Sequence, residues 1–396
     1  MSQIEITTLG KSCEFFNGKA HEKDIDEKGK YIVVNSKFIS SDGNKFKKTN
    51  EQMFPLYKDD IVMVMSDVPN GKALAKCFIV DQDDTYSLNQ RICCIRSKEF
   101  DTKYLYYQLN RNEHFLAFNN GENQTNLRKD DILDCPLIKP SMKEQRRMVA
   151  ELDEVYRKIA KAKINLEENL NNTRELLDGF LQTTFANGGD DWDKKALCEV
   201  FEIKPQKKEA REKLKATDLV TFLPMEDLGV LNKEIKGQQE KQLKDVQGSY
   251  TYFAENDVLL AKITPCFENG KIGIARNLTN KIGFGSSEYI VFRSTGKIVP
   301  EYLYYFLSRP NFREEGRKLM SGAVGHKRVS KDWIDNYIIP YPTSLNAQKS
   351  LVQKLDTLSL EATKLEDIYQ NKIENLEELK QGILKKAFEN ELIEAE

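Results

Sequence analysis

The sequence predicts a mixed α/β (α+β) chain laid out as domain, long helix, domain, long helix, with an internal pseudo-two-fold repeat. Three observations predict it. The chain matches itself at a spacing near 200 residues, two segments carry a heptad seam, and the stretches between them hold short β-branched runs bounded by turn residues. A length of 396 residues also exceeds one ordinary core, so several domains are expected. The boundaries read from the pattern are 1–140, 141–187, 188–342 and 343–396.

The repeat is clearest in the helices. Gln145-Arg-Arg-Met-Val-Ala-Glu-Leu-Asp153 matches Gln348-Lys-Ser-Leu-Val-Gln-Lys-Leu-Asp356 at an offset of 203, which holds to Gly179, Leu181 and Phe185 against Gly382, Leu384 and Phe388. Upstream, Tyr104-Leu-Tyr-Tyr107 answers Tyr302-Leu-Tyr-Tyr305, and Lys58-Asp-Asp-Ile61 answers Glu255-Asn-Asp-Val258. A period this long means two copies of one domain, not a solenoid.

In the first domain Tyr31 to Val34, Ile61 to Met65, Cys77 to Val80 and Ile92 to Ile95 read as strands. In the second, Val258 to Ile263, Ile272 to Ala275 and Tyr289 to Phe292 do so. An amphipathic helix follows in each, near Tyr104 to Leu109 and Glu301 to Leu307, with its aromatic residues assigned to the core. The long helices begin soon after Pro140 and Pro342. Their apolar seam runs through Leu152, Val155, Ile159 and Leu166, continuing through Thr173, Leu176 and Phe180. In the second helix it runs through Leu355, Leu358, Leu365, Leu376 and Leu379. This is coiled-coil patterning. About 40 residues at ~1.5 Å each give a rod of ~60 Å. The simplest partner for each helix is the other, packed antiparallel, which would put the domains at opposite ends of the rod.

Polar loops are the candidates for nucleic-acid contact. Gly43-Asn-Lys-Phe-Lys-Lys48 offers Lys45, Lys47 and Lys48. Gly121-Glu-Asn-Gln-Thr-Asn-Leu-Arg128 offers Asn123, Gln124, Thr125, Asn126 and Arg128. Amides pair bidentately with adenine, and arginine with guanine or phosphate. In the second copy the counterpart is Ser321-Gly-Ala-Val-Gly-His-Lys-Arg328, with His326, Lys327 and Arg328, while Lys262, Lys271 and Arg276 flank a further loop.

Composition narrows the function classes. Net charge is −2, with the segment 187–342 at +3 and the tail 343–396 at −4, so any grip on DNA rests on local patches or on a partner's charge. Seven scattered cysteines without a CxxC argue against a disulfide framework or zinc ribbon, and three isolated histidines against a metal site. No apolar run suffices to span a bilayer. Met1–Gly10 lacks the features of a secretory signal, so a cytoplasmic protein is expected. There is no Pro-Pro pair, as the base-holding motif of amino-methyltransferases requires, and no Walker loop. No catalytic residue is assigned.

The path Pro140-Ser-Met-Lys-Glu-Gln145 into Val149 and Leu152-Asp153 resembles the helix entry of type I restriction-modification specificity subunits. Ile263-Thr-Pro-Cys-Phe-Glu-Asn-Gly-Lys271 and Gly283-Phe-Gly-Ser-Ser-Glu288 resemble internal motifs of their target-recognition domains. The first copy has no counterpart of Pro265-Cys-Phe-Glu-Asn-Gly. The resemblance covers essentially the whole chain. It implies a non-catalytic subunit reading an asymmetric bipartite site on double-stranded DNA. It also implies two methyltransferase subunits and up to two restriction subunits as partners, with S-adenosylmethionine, ATP and Mg belonging to those partners and no cofactor here. Two other readings stay open: a helical scaffold or adaptor without DNA specificity, and a methyltransferase or nuclease, which would need a catalytic motif.

Overall fold

The structure, a computed structural model, describes residues 5–395 except 22, 70, 187, 190, 237, 238 and 324, with side chains described as far as 388. The chain divides into two compact units, residues 1–165 with 372–396, and residues 166–371. The long helices are Met142–Ala186 and Leu345–Ala395. Each contributes one stretch to either unit.

In the first unit a four-stranded antiparallel sheet has the order Glu14–Asn17, Ile92–Arg96, Ile61–Val64, Cys77–Ile79. A three-stranded sheet sets Tyr31–Val34 between Lys47–Thr49 and Tyr86–Leu88, the last pair parallel. The second unit repeats the plan. Its antiparallel sheet has the order Phe201–Ile203, Tyr289–Ser294, Val258–Ala261, Ile272–Ile274. Its other sheet has the order Gln239–Gln242, Leu219–Leu223, Ile282–Gly285, Thr251–Ala254, again with one parallel pair. The central strands Ile61–Val64 and Val258–Ala261 are buried on both faces, which explains why they read as unbroken apolar runs.

The repeat motifs mark where the fold fastens itself. Before each central strand a residue takes left-handed backbone, Asp59 at φ 71° and Asn256 at φ 69°, a conformation that Asn and Asp tolerate better than most. The next residue is a buried aspartate. Asp60 accepts from Arg96 Nε and Nη2 at 2.5 and 2.8 Å, and Asp257 from Arg293 Nε and Nη2 at 2.9 and 2.8 Å. Each also accepts a backbone N–H, from Tyr57 and Ala254. A buried carboxylate needs such partners. The matched glutamines clamp helix to domain. Gln145 accepts from Asp101 N and donates to the Pro140 carbonyl, while Gln348 accepts from Val299 N and donates to the Pro342 carbonyl.

Tyr104 of the short helix Thr102–Leu109 and Tyr302, Tyr304 and Tyr305 of Pro300–Ser308 lie in the core, whereas Tyr106 and Tyr107 are only partly buried. In the first unit Tyr104 meets Phe388 edge-on at 5.5 Å between centroids. In the second, Tyr302 meets Phe185 edge-on at 5.2 Å. Each domain is thus sealed by the matching phenylalanine of the other long helix.

The seam corrects the sequence reading at its ends. Leu152, Ile159 and Leu355 are buried and Val155, Leu166, Leu358 and Leu376 partly so. Leu365 and Leu379 are exposed, as are Leu176 and Phe180. From Thr173 the inward positions step by four, to Leu177, Leu181 and Phe185, and in the second helix from Leu376 to Lys380, Leu384 and Phe388. At about 100° per residue, each step of four turns the inward face by about 40°. The heptad is given up so that the helix ends reach Tyr302 and Tyr104.

Inside the first unit, Lys163 pairs with Glu377 at 2.6 Å and Lys380 lies 5.1 Å from the Tyr156 ring. Inside the second, Arg174 pairs with Glu366 at 3.3 Å. Among the described residues, no helix is long and apolar enough to cross a membrane.

Candidate nucleic-acid interface

In each domain a polar loop is fixed at one corner, where the central strand of the antiparallel sheet ends and its neighbour begins. In the first domain Met65 N donates to the Arg91 carbonyl at 3.0 Å, and Leu127 N to the Met65 carbonyl at 2.8 Å. In the second, Lys262 N donates to the Glu288 carbonyl and Val329 N to the Lys262 carbonyl, both at 3.0 Å. The amide-rich loop and the Ser-Gly loop therefore occupy equivalent places, despite having no residues in common at their tips.

The first corner opens on a polar cleft of about 370 Å³ lined by Asn35, Ser66, Asn89, Gln90, Arg91 and Gln124, among others. Thr125–Asn126 pairs as a two-residue strand with Ser66–Asp67. Alternation along that strand decides what faces outward. Asn123, Gln124, Asn126 and Arg128 are exposed, whereas Thr125 is 7 % exposed and its hydroxyl bonds Asn119 at 3.3 Å. Thr125 is therefore withdrawn as a surface contact. Gln124 Nε2 donates to Ser66 Oγ at 2.8 Å, which orients its amide. Arg128 N caps the helix Lys129–Leu133 through Asp131. Lys45, Lys47 and Lys48 lie elsewhere, on and before the edge strand Lys47–Thr49, with the Lys48 ammonium 5.9 Å from the Phe46 ring. They do not line the cleft.

At the second corner Lys262, Glu288 and Arg328 come together. Arg328 donates from Nε and Nη2 to the Glu288 carboxylate at 2.9 and 2.8 Å, and Lys262 Nζ lies 3.9 Å from it. The arginine holds the Glu288 carboxyl below the usual carboxylate range. His326 and Lys327 are exposed at the loop tip. Two residues assigned from sequence do not join them. Lys271 spends its ammonium on the carbonyls of Met225 and Glu226. Arg276 pairs with Glu301 in the first turn of the helix Pro300–Ser308. Both side chains are thus engaged away from the loop tip, by partners distant in sequence.

The sequence reading missed a basic cleft of about 520 Å³ beside this corner. Lys204, Lys207, Lys208, Lys262 and Lys331 line it together with Tyr250, Tyr252 and Tyr289. Burial, reinforced by Arg211 and Lys204, lowers the Lys207 ammonium below its usual value. Burial also lowers Lys262, with Glu288 opposing. Cations pressed together in a concave surface favour an anion such as phosphate. Three separate segments supply these lysines, so only the close spacing of Lys204, Lys207 and Lys208 was visible in the chain.

Comparison with known proteins places this geometry. The family model described as the type I restriction modification DNA specificity domain matches residues 1–171 and 189–375. The EcoAI and EcoEI type I restriction enzyme specificity subunits of Escherichia coli are each 33 % identical, over 175 and 155 residues. Those alignments cover 43 % and 38 % of this chain and only 28 % and 25 % of the relatives' own lengths. The EcoBI specificity subunit of the same organism is 23 % identical over 77 % of this chain and 69 % of its own. Two solved structures share the fold. One, from a study of complex assembly and conformational transition in the type I R-M system, superposes with a TM-score of 0.74 at 17 % identity, covering 98 % of this chain and 97 % of that one. The HsdS subunit from Thermoanaerobacter tengcongensis gives 0.56 at 18 % identity, covering 98 % and 96 %.

Proposed function

This chain belongs to the family of type I restriction modification DNA specificity domains, and from that premise we propose that it is the DNA-reading subunit of a type I restriction-modification complex. It reads a bipartite site, one half per domain, and is not itself catalytic. One observation carries this reading: the two domains hold equivalent loops with the same backbone bonds but present different side chains. Base edges are read by such side chains, while phosphates position the protein. Amides and Arg91 at one corner, and Lys262, Glu288 and Arg328 at the other, make the two half-sites different and the whole site asymmetric. Asn123, Gln124, Asn126, Arg128, His326 and Lys327 are further contacts, with Lys45, Lys47 and Lys48 on phosphate.

The long helices act as an antiparallel coiled-coil spacer, which the Lys163–Glu377 and Arg174–Glu366 pairs support. Their exposed apolar positions, Leu176 and Leu379 among them, suit the docking of two methyltransferase subunits. Up to two restriction subunits complete the complex. S-adenosylmethionine, ATP and Mg act in those partners, and the assembly works in the cytoplasm.

Co-purification with the methyltransferase subunit, followed by genome-wide mapping of methylated bases, tests the reading. One split, asymmetric motif is expected, and replacing residues 1–140 should change it on one side only. A stable complex that leaves no motif would favour a helical scaffold without DNA specificity.

A further inference from the structure

We propose that Arg328, buttressed by Glu288, reads a guanine in the half-site of the second domain; this rests on the DNA-reading function above. The arginine is fixed from both ends. Its backbone exchanges hydrogen bonds with Ser321, Arg328 N to Ser321 O at 2.8 Å and Ser321 N to Arg328 O at 3.1 Å. Thr264 N holds the preceding carbonyl, that of Lys327, at 2.9 Å. The turn between them uses Gly322 at φ 127° and Gly325 at φ 80°, backbone that glycine adopts without strain.

The side chain is aimed by its own fork. Nε and Nη2 face Glu288 side-on, and Nη1 donates to the His326 carbonyl at 3.0 Å. A planar guanidinium carries five N–H groups. Those used on Glu288 and His326 leave one N–H on each of the two neighbouring Nη atoms. The arginine side chain is 45 % exposed and Glu288 only 21 %, so the guanidinium is the more accessible partner of the pair. Two parallel donors on a preset plane match O6 and N7 of guanine in the major groove, and no other base offers two acceptors there in that arrangement. A phosphate can also take such a fork, and the two are told apart by whether loss of the arginine changes the sequence selected or only the affinity.

The first domain lacks the device. At the equivalent bridge Asn126 stands opposite Ser66 as Arg328 stands opposite Ile263. Arg91 occupies the Glu288 place in the backbone bonds. The guanine preference therefore belongs to one half-site.

The test uses the full chain co-purified with its methyltransferase subunit, with selection of bound duplexes from a randomised pool and separate Arg328→Ala and Glu288→Gln complexes. Wild type is expected to select guanine at one position of one half-site. Arg328→Ala should cut discrimination there by about 5- to 150-fold, the range of a lost bidentate contact, leaving the other half-site unchanged. Glu288→Gln should relax the same position to a smaller degree. Uniform weakening with the motif intact would assign Arg328 to phosphate and overturn the proposal, as would an unchanged motif in Arg328→Ala. A wild-type complex that selects no motif at all would instead overturn the DNA-reading function on which the proposal stands.

Discussion

The corner at Met65 and the corner at Lys262 share their backbone hydrogen bonds and differ in nearly every side chain they show to solvent. The first presents amides around Arg91; the second presents an arginine held by a glutamate beside five lysines. Beneath both lies one frame, in which a buried aspartate takes an arginine fork and a helix glutamine closes on the domain. The division is physical. Buried polar groups must keep every partner, so the frame tolerates little change. A loop placed at its corner by main-chain bonds accepts many side chains that fit its turns.

The comparison breaks most visibly at the matched phenylalanines. Phe185 is buried against Tyr302, while Phe388 is only partly buried against Tyr104. Phe185→Ala should cost about 3–5 kcal/mol and Phe388→Ala clearly less. Both tryptophans, Trp192 and Trp333, belong to the second unit, so their fluorescence in denaturant reports the first change directly and hydrogen exchange the second. Equal losses would mean the two seals are equivalent after all.

A smaller effect separates the aspartates. Asp60→Asn should cost about 3 kcal/mol, near the lower end for a broken buried pair because Arg96 is partly exposed. Asp257→Asn should cost about 1 kcal/mol less, because Arg293 keeps Glu209 as a second partner. Calorimetry of the two variants would decide, and the reverse order would remove Glu209 from the account.

Acid sharpens the same contrast. Burial opposes ionisation of Glu209, yet bonds from Lys213 and Arg293 outweigh it and lower its carboxyl to about 2. A carboxyl depressed on folding stabilises above its unfolded value of about 4.5, and that contribution fades as pH falls towards about 2. Glu209→Gln should therefore lower second-unit stability at pH ~6 and flatten its decline below pH ~4.5. Tryptophan-monitored unfolding across that range would show an unchanged slope if the pairing contributes nothing.

The least effect is expected at the matched outward leucines, Leu176 at 75 % and Leu379 at 51 % exposure. Replacing either with Gln should shift stability by no more than about 0.5 kcal/mol. Such variants still fold, and loss of methyltransferase subunit binding in a pull-down would locate the docking surface on that face.

The frame was legible because the chain carries its own comparison. Lys58-Asp-Asp-Ile61 beside Glu255-Asn-Asp-Val258 singled out residues that prove to be a left-handed turn and a buried carboxylate, and the strand runs emerged close to their observed bounds. The corners were harder. Lys271 and Arg276 look like surface cations in sequence, and only their contacts to Met225, Glu226 and Glu301 show otherwise. Lys331 joins the basic cleft from a segment more than a hundred residues beyond Lys204, a juxtaposition no local pattern encodes. The seam failed at Leu379 because a heptad extrapolated along a straight helix overlooks the rotation of the inward face that begins at Leu376.

The glutamine clamp bears on how such a gene can change. Each clamp joins a helix start to the domain just before it, and the joined residues lie within one contiguous stretch, Asp101 to Gln145 or Val299 to Gln348. Recombination at the matched codons just after either glutamine would carry a domain away with this clamp intact, leaving the tyrosine contacts to Asp153 or Asp356 and to the other helix's phenylalanine to be met by the matched residues of the recipient. A lineage could then exchange one domain for another without re-evolving the clamp.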